Sequence, residues 1–313
     1  MAATHIKGPS DDGLDDGLDD LIRGYTARKP DEKRKVAADL SSHLGLKEVL
    51  KKFGSLLKFD RDSLCYVERF REHKDRIITE LTEVLTPAEI EAALQLICYQ
   101  IESEPKNETL DKLIPETLGV FITKLIQLSY NAGNNNFDLN TKCSSQTIRN
   151  IGCHLDGTEE KYVKVKIDGD VQGVCKFSSY CEFEINGNMV KDLQGLGLRS
   201  RNCAITINGT FPIDEGILGI QLSESRLKTR NEETLGKLIS HTFGLDSQKC
   251  SYQILFVKPN GQEELVLKFR VCELDNSKAQ IDINKEYYRF IEPNIQRNID
   301  SGYYNLICKL NLF

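Results

Sequence analysis

Apolar residues recur with a helical period from about residue 21 to 132. Val49, Leu50, Phe53, Leu56 and Leu57 fall at i, i+1, i+4, i+7 and i+8, one stripe of an α-helix. Val67, Phe70, Ile77, Ile78 and Leu81 form a second set. Thr86-Pro87-Ala88-Glu89 predicts a helix start, because Thr caps, Pro suits the first turn and Glu returns a hydrogen bond to the cap. Ile90, Ala93, Leu94, Ile97 and Ile101 then share a face. Leu110, Leu113, Ile114, Leu118, Phe121, Ile122 and Leu125 make another, with Pro115 expected to bend or interrupt it. Five or six helices around their own core are expected from this half. The run Asn131-Ala132-Gly133-Asn134-Asn135-Asn136 breaks the pattern, and beyond it Val, Ile, Thr, Tyr and Phe alternate with polar residues at period two.

A repeat lies inside this second half. Gly173 aligns with Gly195, Ser178 with Ser200, Cys181 with Cys203, Phe183 with Ile205, Ile185 with Ile207 and Asn186-Gly187 with Asn208-Gly209, all at an offset of 22 residues. The same offset carries Gly197 to Gly219, Cys203 to Ser225 and Ile205 to Leu227. Val165–Gly169 is a looser copy of Phe183–Gly187, 18 residues earlier. Short strands with alternate residues inward, each ended by a sharp turn and stacked about 4.8 Å apart, account for such a repeat. The expected inward ladder is Cys181, Phe183, Ile185, Cys203, Ile205 and Ile207. The expected turns use Gly173, Gly187, Gly195, Gly197, Gly209 and Gly219, with positive φ at the Asn-Gly pairs.

The expected fold class is therefore α+β and multidomain: an all-α N-terminal domain, a short parallel β-solenoid and an α+β C-terminal extension. The boundaries are an acidic, disordered arm over 1–20, helices over 21–132, a linker over 133–145, the repeat over 146–231 and the extension over 232–313. In the extension, Asn231 caps a helix and Pro259-Asn260-Gly261 turns a hairpin; a helix over 285–299 and a strand over 303–312 follow.

The rung Gly197-Leu198-Arg199-Ser200-Arg201-Asn202-Cys203-Ala204-Ile205-Thr206-Ile207-Asn208-Gly209 resembles the glycine-rich right-handed β-helix at the C-terminus of the large polypeptide of glutamate synthase. It is also similar to the β-helical polypeptide of formylmethanofuran dehydrogenase and to related uncharacterised archaeal repeat proteins. The resemblance covers about residues 150–231. It implies a structural spacer or interface element, and no flavin, iron–sulfur or molybdopterin ligation.

Composition narrows the chemistry. The chain has 313 residues and a net charge of −6, which argues against a general phosphate-backbone binder. Ten cysteines without a basic-then-apolar leader suggest reduced thiols and a cytoplasmic protein with no membrane span. The arm Asp11-Asp12-Gly13-Leu14, repeated as Asp15-Asp16-Gly17-Leu18, lacks the ligand pattern of a calcium loop. Cys175, Cys181 and Cys203 are candidates to converge on a metal, but thiols at inward positions pack as small hydrophobes. Cys153-His154 with Cys143 fits no zinc spacing. His241 has no nucleophile elbow beside it, and Gly195-Leu196-Gly197 lacks a third glycine for dinucleotide binding.

No catalytic, cofactor-binding or metal residues are therefore expected, and no cofactor. Arg28-Lys29, Lys33-Arg34-Lys35, and Lys176, Arg199 and Arg201 on outward faces leave nucleic acid as a weaker partner, with only Phe177 and Tyr180 to stack bases. The expected function is a non-enzymatic interaction or scaffold protein with a protein partner. The alternatives are an accessory component of a larger redox or one-carbon enzyme, and an RNA- or DNA-binding protein.

Overall fold

The computed structural model describes residues 44–57, 66–103, 108–190, 197–211, 222–241, 250–272, 275–290, 292 and 307–313. The acidic arm, the basic cluster at 28–35, Gly195 and Gly219 lie outside the described residues. The helical half contains α1 (Leu44–Leu57), α2 (Tyr66–Glu80), α3 (Pro87–Ser103) and α4 (Glu108–Asn131). α3 begins with a reciprocal cap: the Thr86 amide donates to Glu89 Oε2 at 2.7 Å, and the Glu89 amide donates to Thr86 Oγ1 at 3.3 Å. Pro115 lies inside α4 without interrupting it. Among the described residues no helix is long and apolar enough to cross a membrane.

The strands are β1 (Asn136–Asn140), β2 (Ile148–Arg149), β3 (Val163–Asp168), β4 (Val171–Gln172), β5 (Cys181–Ile185), β6 (Ser200–Arg201), β7 (Ala204–Ile207) and β8 (Leu222–Thr229). After α5 (Glu232–His241) come β9 (Ser251–Val257), β10 (Glu263–Cys272), β11 (Asp275–Ile283) and β12 (Ile307–Leu312). All but β2 and β4 belong to one sheet of order β1-β3-β5-β7-β8-β9-β10-β11-β12, with β6 beside β8. The strands from β1 to β9 pair in parallel; β9, β10 and β11 pair antiparallel, and β12 joins β11 in parallel.

This corrects the expected fold class. The repeat strands do not form a solenoid set apart from a C-terminal extension; they are the parallel part of one mixed sheet. The reason is visible in a single in-register row. Phe137, Val165, Phe183, Ile205, Leu227, Ile254, Leu267, Ile283 and Leu312 are successive partners across nine strands. The row is buried from Phe137 through Ile283 and opens to solvent at Leu312, so no seam separates the repeat from β9. The coarse α+β class holds. β1 lies inside the stretch expected as a linker, and β11 within the extension was not foreseen.

Columns of like residues run along the turns. Asn208 Nδ2 donates to Asn186 Oδ1 at 2.8 Å, the Thr210 amide to Asn188 Oδ1 at 3.0 Å and the Asn188 amide to Asp170 Oδ1 at 2.8 Å. Gly173 and Gly197 have positive φ, at 67° and 64°. Gly187 and Gly209 are absent from the positive-φ residues, which corrects the turn reading at both Asn-Gly pairs. They are glycine because neighbouring turns touch: a Cβ on Gly187 would lie 2.1 Å from Gly169 O, and one on Gly209 2.1 Å from Gly187 O. Thr234 of α5 ends the column by donating to Gly209 O at 2.8 Å.

The helices pack on the separate β2–β4 pair and on the β1 edge of the large sheet. α4 lies against β2, where a Cβ on Gly119 would meet Arg149 O at 1.6 Å. Thr123 Oγ1 on the same face accepts from the Gly152 amide at 2.8 Å. α3 closes the edge of β1: the Asn140 amide donates to Glu91 Oε2 at 3.0 Å, and Gln95 Nε2 donates to Asn140 O at 2.9 Å. An open strand edge is a template for unwanted pairing, and these two side chains occupy the backbone polar groups of its last residue, Asn140.

Between α2 and α4, His73 is buried with its Nδ1 3.0 Å from Thr117 Oγ1. Burial, reinforced by Arg76 and Arg69, lowers its pKa from 6.5 to about 4. Between those values the unfolded chain binds a proton that the folded chain does not. Stability is therefore expected to fall as pH drops through this window, by up to about 3 kcal/mol. Urea melts at neutral pH and at about pH 4 check this, with His73→Gln expected to lose that share of the pH dependence.

Candidate interaction face and buried thiol cluster

The outward face of the sheet is polar because strand residues alternate sides. Asn136, Lys164, Glu182, Ala204, Arg226, Gln253, Lys268, Asp282 and Asn311 form one in-register row across nine strands. Charges of both signs lie along it: Lys164 Nζ is 3.4 Å from Glu182 Oε2, and Arg270 Nη2 is 3.3 Å from Asp282 Oδ2 beside the far end. Asn311, Gln280 and Arg270 all favour the charged form of Asp282, so its carboxyl is held below the usual range against the burial that opposes it. The row ends in a shallow depression of about 270 Å³ lined by Leu265, Lys268, Asp282, Asn311 and Phe313. Phe313 is half exposed there.

The inward positions tell a different story. Cys181, Phe183, Ile185, Cys203, Ile205 and Ile207 are all buried, at 2% exposure or less. Phe183 pairs with Ile205 and Ile185 with Ile207, both in parallel. Cys181 Sγ donates to Ser179 O and Cys203 Sγ to Arg201 O, both at 3.2 Å, and Cys175 and Cys181 lie close enough to Cys203 to shift their titration. Burial pushes the Cys175 thiol up, and the contact with Cys203 followed by burial does the same for Cys181. The neighbouring Cys175 and Cys181 pull Cys203 the other way. All three are free cysteines, and among the described residues no group of three or more His, Cys, Asp or Glu side chains is placed to hold a metal ion. Low polarity and closure from solvent make them packing groups rather than nucleophiles.

Other sequence candidates are dispersed. Lys176 was expected outward; it is buried, with Nζ 3.3 Å from Asn150 Oδ1, because the backbone turns inward around the positive φ of Cys175 and Phe177. Arg199 and Arg201 are exposed, and Arg201 pairs with Glu224 at 2.8 Å. Phe177 stacks on His154 at 5.0 Å, and Tyr180 meets Tyr162 edge-on at 5.8 Å. His241 is the last residue of α5. The outer row was missed at the sequence level because its members share no offset beyond the repeat; only pairing through β9 and β10 aligns them.

Fold and face together define an α+β protein built on one wide mixed sheet with a polar, solvent-facing side. No family model matches the chain, and neither a curated protein nor a solved structure matches it.

Proposed function

We propose that the chain is a non-enzymatic binding protein that recognises a protein partner through the outer face of its sheet. The observation that carries this reading is the nine-residue row, polar at every position but Ala204, ending in a depression where Leu265 and Phe313 flank Lys268 and Asp282. A mixed-charge row steers an oppositely patterned protein and sets its register, whereas a phosphate backbone requires cations without interleaved carboxylates. An apolar flank beside charged groups supplies the desolvated anchor that interfaces need.

The test is affinity capture with the full chain and with Arg226→Gln/Lys268→Gln, two changes that remove charge from the row without setting a second carboxylate opposite Asp282 and should leave the melting temperature nearly unchanged. A protein captured by the wild type is expected to bind the variant roughly tenfold or more weakly, about 1.4 kcal/mol. Equal binding by both chains would contradict the reading, as would capture of nucleic acid alone.

A further inference from the structure

Glu91, Gln95 and Cys98 lie at i, i+4 and i+7 on α3, one stripe facing the end of β1. The first two hold the Asn140 backbone. Cys98, buried, lies against Cys143, which closes the short 3₁₀ turn Thr141–Cys143 directly after β1. Cys143 Sγ is 2.9 Å from Cys98 Sγ and 3.2 Å from Asn140 O. A disulfide needs about 2.05 Å between sulfurs, so closing the pair requires a shift below 1 Å in a turn that ends at Cys143. Both are free thiols; Cys98 is buried and Cys143 half-buried.

From this geometry we infer that Cys98 and Cys143 form a reversible disulfide, made by a hydroperoxide, that fastens α3 across the edge of the sheet. Cys143, the accessible thiol, is oxidised first: its sulfur bonds to one peroxide oxygen, the O–O bond breaks, and a sulfenic acid and water (from hydrogen peroxide) result. The Cys98 sulfur then bonds to the Cys143 sulfur; the S–OH bond breaks, and the departing hydroxide leaves as water with the Cys98 proton. Each sulfur gives up one electron and the peroxide takes two. The contact with Cys143, then burial, keeps the Cys98 thiol protonated, which suits it as the second partner rather than the first. Cys175, Cys181 and Cys203 are closed off from solvent and do not compete.

The experiment treats the reduced full chain with hydrogen peroxide and maps disulfides without reduction. The expected result is loss of the mass of two hydrogens, a single cross-link joining the peptides of Cys98 and Cys143, reversal by dithiothreitol, and a melting temperature several degrees higher when oxidised. Cys143→Ser is expected to abolish both the cross-link and the shift. A cross-link involving Cys175, Cys181 or Cys203, over-oxidation of Cys143 to the sulfinic acid without a cross-link, or no reaction would overturn the inference. The mapping is done on the wild-type chain, so it does not depend on the variant folding.

Discussion

Gly119→Ala is expected to lower the melting temperature by more than about 6 °C, corresponding to a loss of about 3 kcal/mol or more. Helix propensity alone predicts the opposite sign, since alanine is favoured over glycine inside a helix by about 1 kcal/mol. The helix is not alone at this point. The new Cβ would lie 1.6 Å from the Arg149 carbonyl oxygen and 2.8 Å from its carbon, both backbone atoms of β2. Backbone cannot rotate out of the way as a side-chain tip does, so α4 would have to lift from β2. That movement would strain the Gly152–Thr123 hydrogen bond and unpack Phe121, Ile122 and Leu125, all buried. Gly54→Ala in α1 is the control, because its Cβ would meet only the movable Gln100 Nε2 at 3.2 Å. Thermal denaturation of both variants decides it; equal melting temperatures would remove the close α4–β2 packing from the account.

Substitution in the glycine column is expected to be nearly as damaging. Gly187→Ala and Gly209→Ala each place a methyl 2.1 Å from the carbonyl oxygen of the glycine one turn below. Relief requires parting stacked turns whose asparagine column bonds at 2.8 Å, so each change is expected to cost about 3 kcal/mol. The two are not expected to add, since both push on one column. Asparagine separates crowding from backbone strain. At a position with positive φ, Asn is the mildest replacement; at a crowded one it is at least as harmful as Ala. Gly209→Asn is therefore expected to melt no higher than Gly209→Ala, and a clear rescue by Asn would restore the positive-φ explanation.

Much of the strand register was legible because stacked strands force equal offsets on paired residues. Phe183 and Ile205 differ by 22 positions in sequence and are partners in the sheet. The same logic fails where pairing carries no repeat. β1 is hidden among Asn134, Asn135 and Asn136, and only Phe137 and Leu139 betray it. β11 opens with Asp275-Asn276-Ser277-Lys278, a polar run that looks like a loop until Ile281 and Ile283 find Phe269 and Leu267. Gly173 and Gly197 have the expected positive φ while Gly187 and Gly209 do not, because a Gly needed for room looks the same in sequence as one needed for positive φ. The outer row was illegible for a related reason: tertiary pairing alone brings Arg226, Gln253 and Lys268 into line.

The continuity of the sheet at β8 and β9 carries both the corrected fold and the proposed binding face, and amide hydrogen exchange tests it most directly. In a parallel strand successive amides point to opposite neighbours. The Arg226 amide donates to Cys203 O at 2.8 Å, toward β7, so the Leu227 amide points toward β9. If the sheet is continuous, Leu227 exchanges as slowly as the amides within β5. Exchange of Leu227 at the rate of an open edge, with Arg226 protected, would mean that the sheet ends at β8 and that the nine-strand row does not exist.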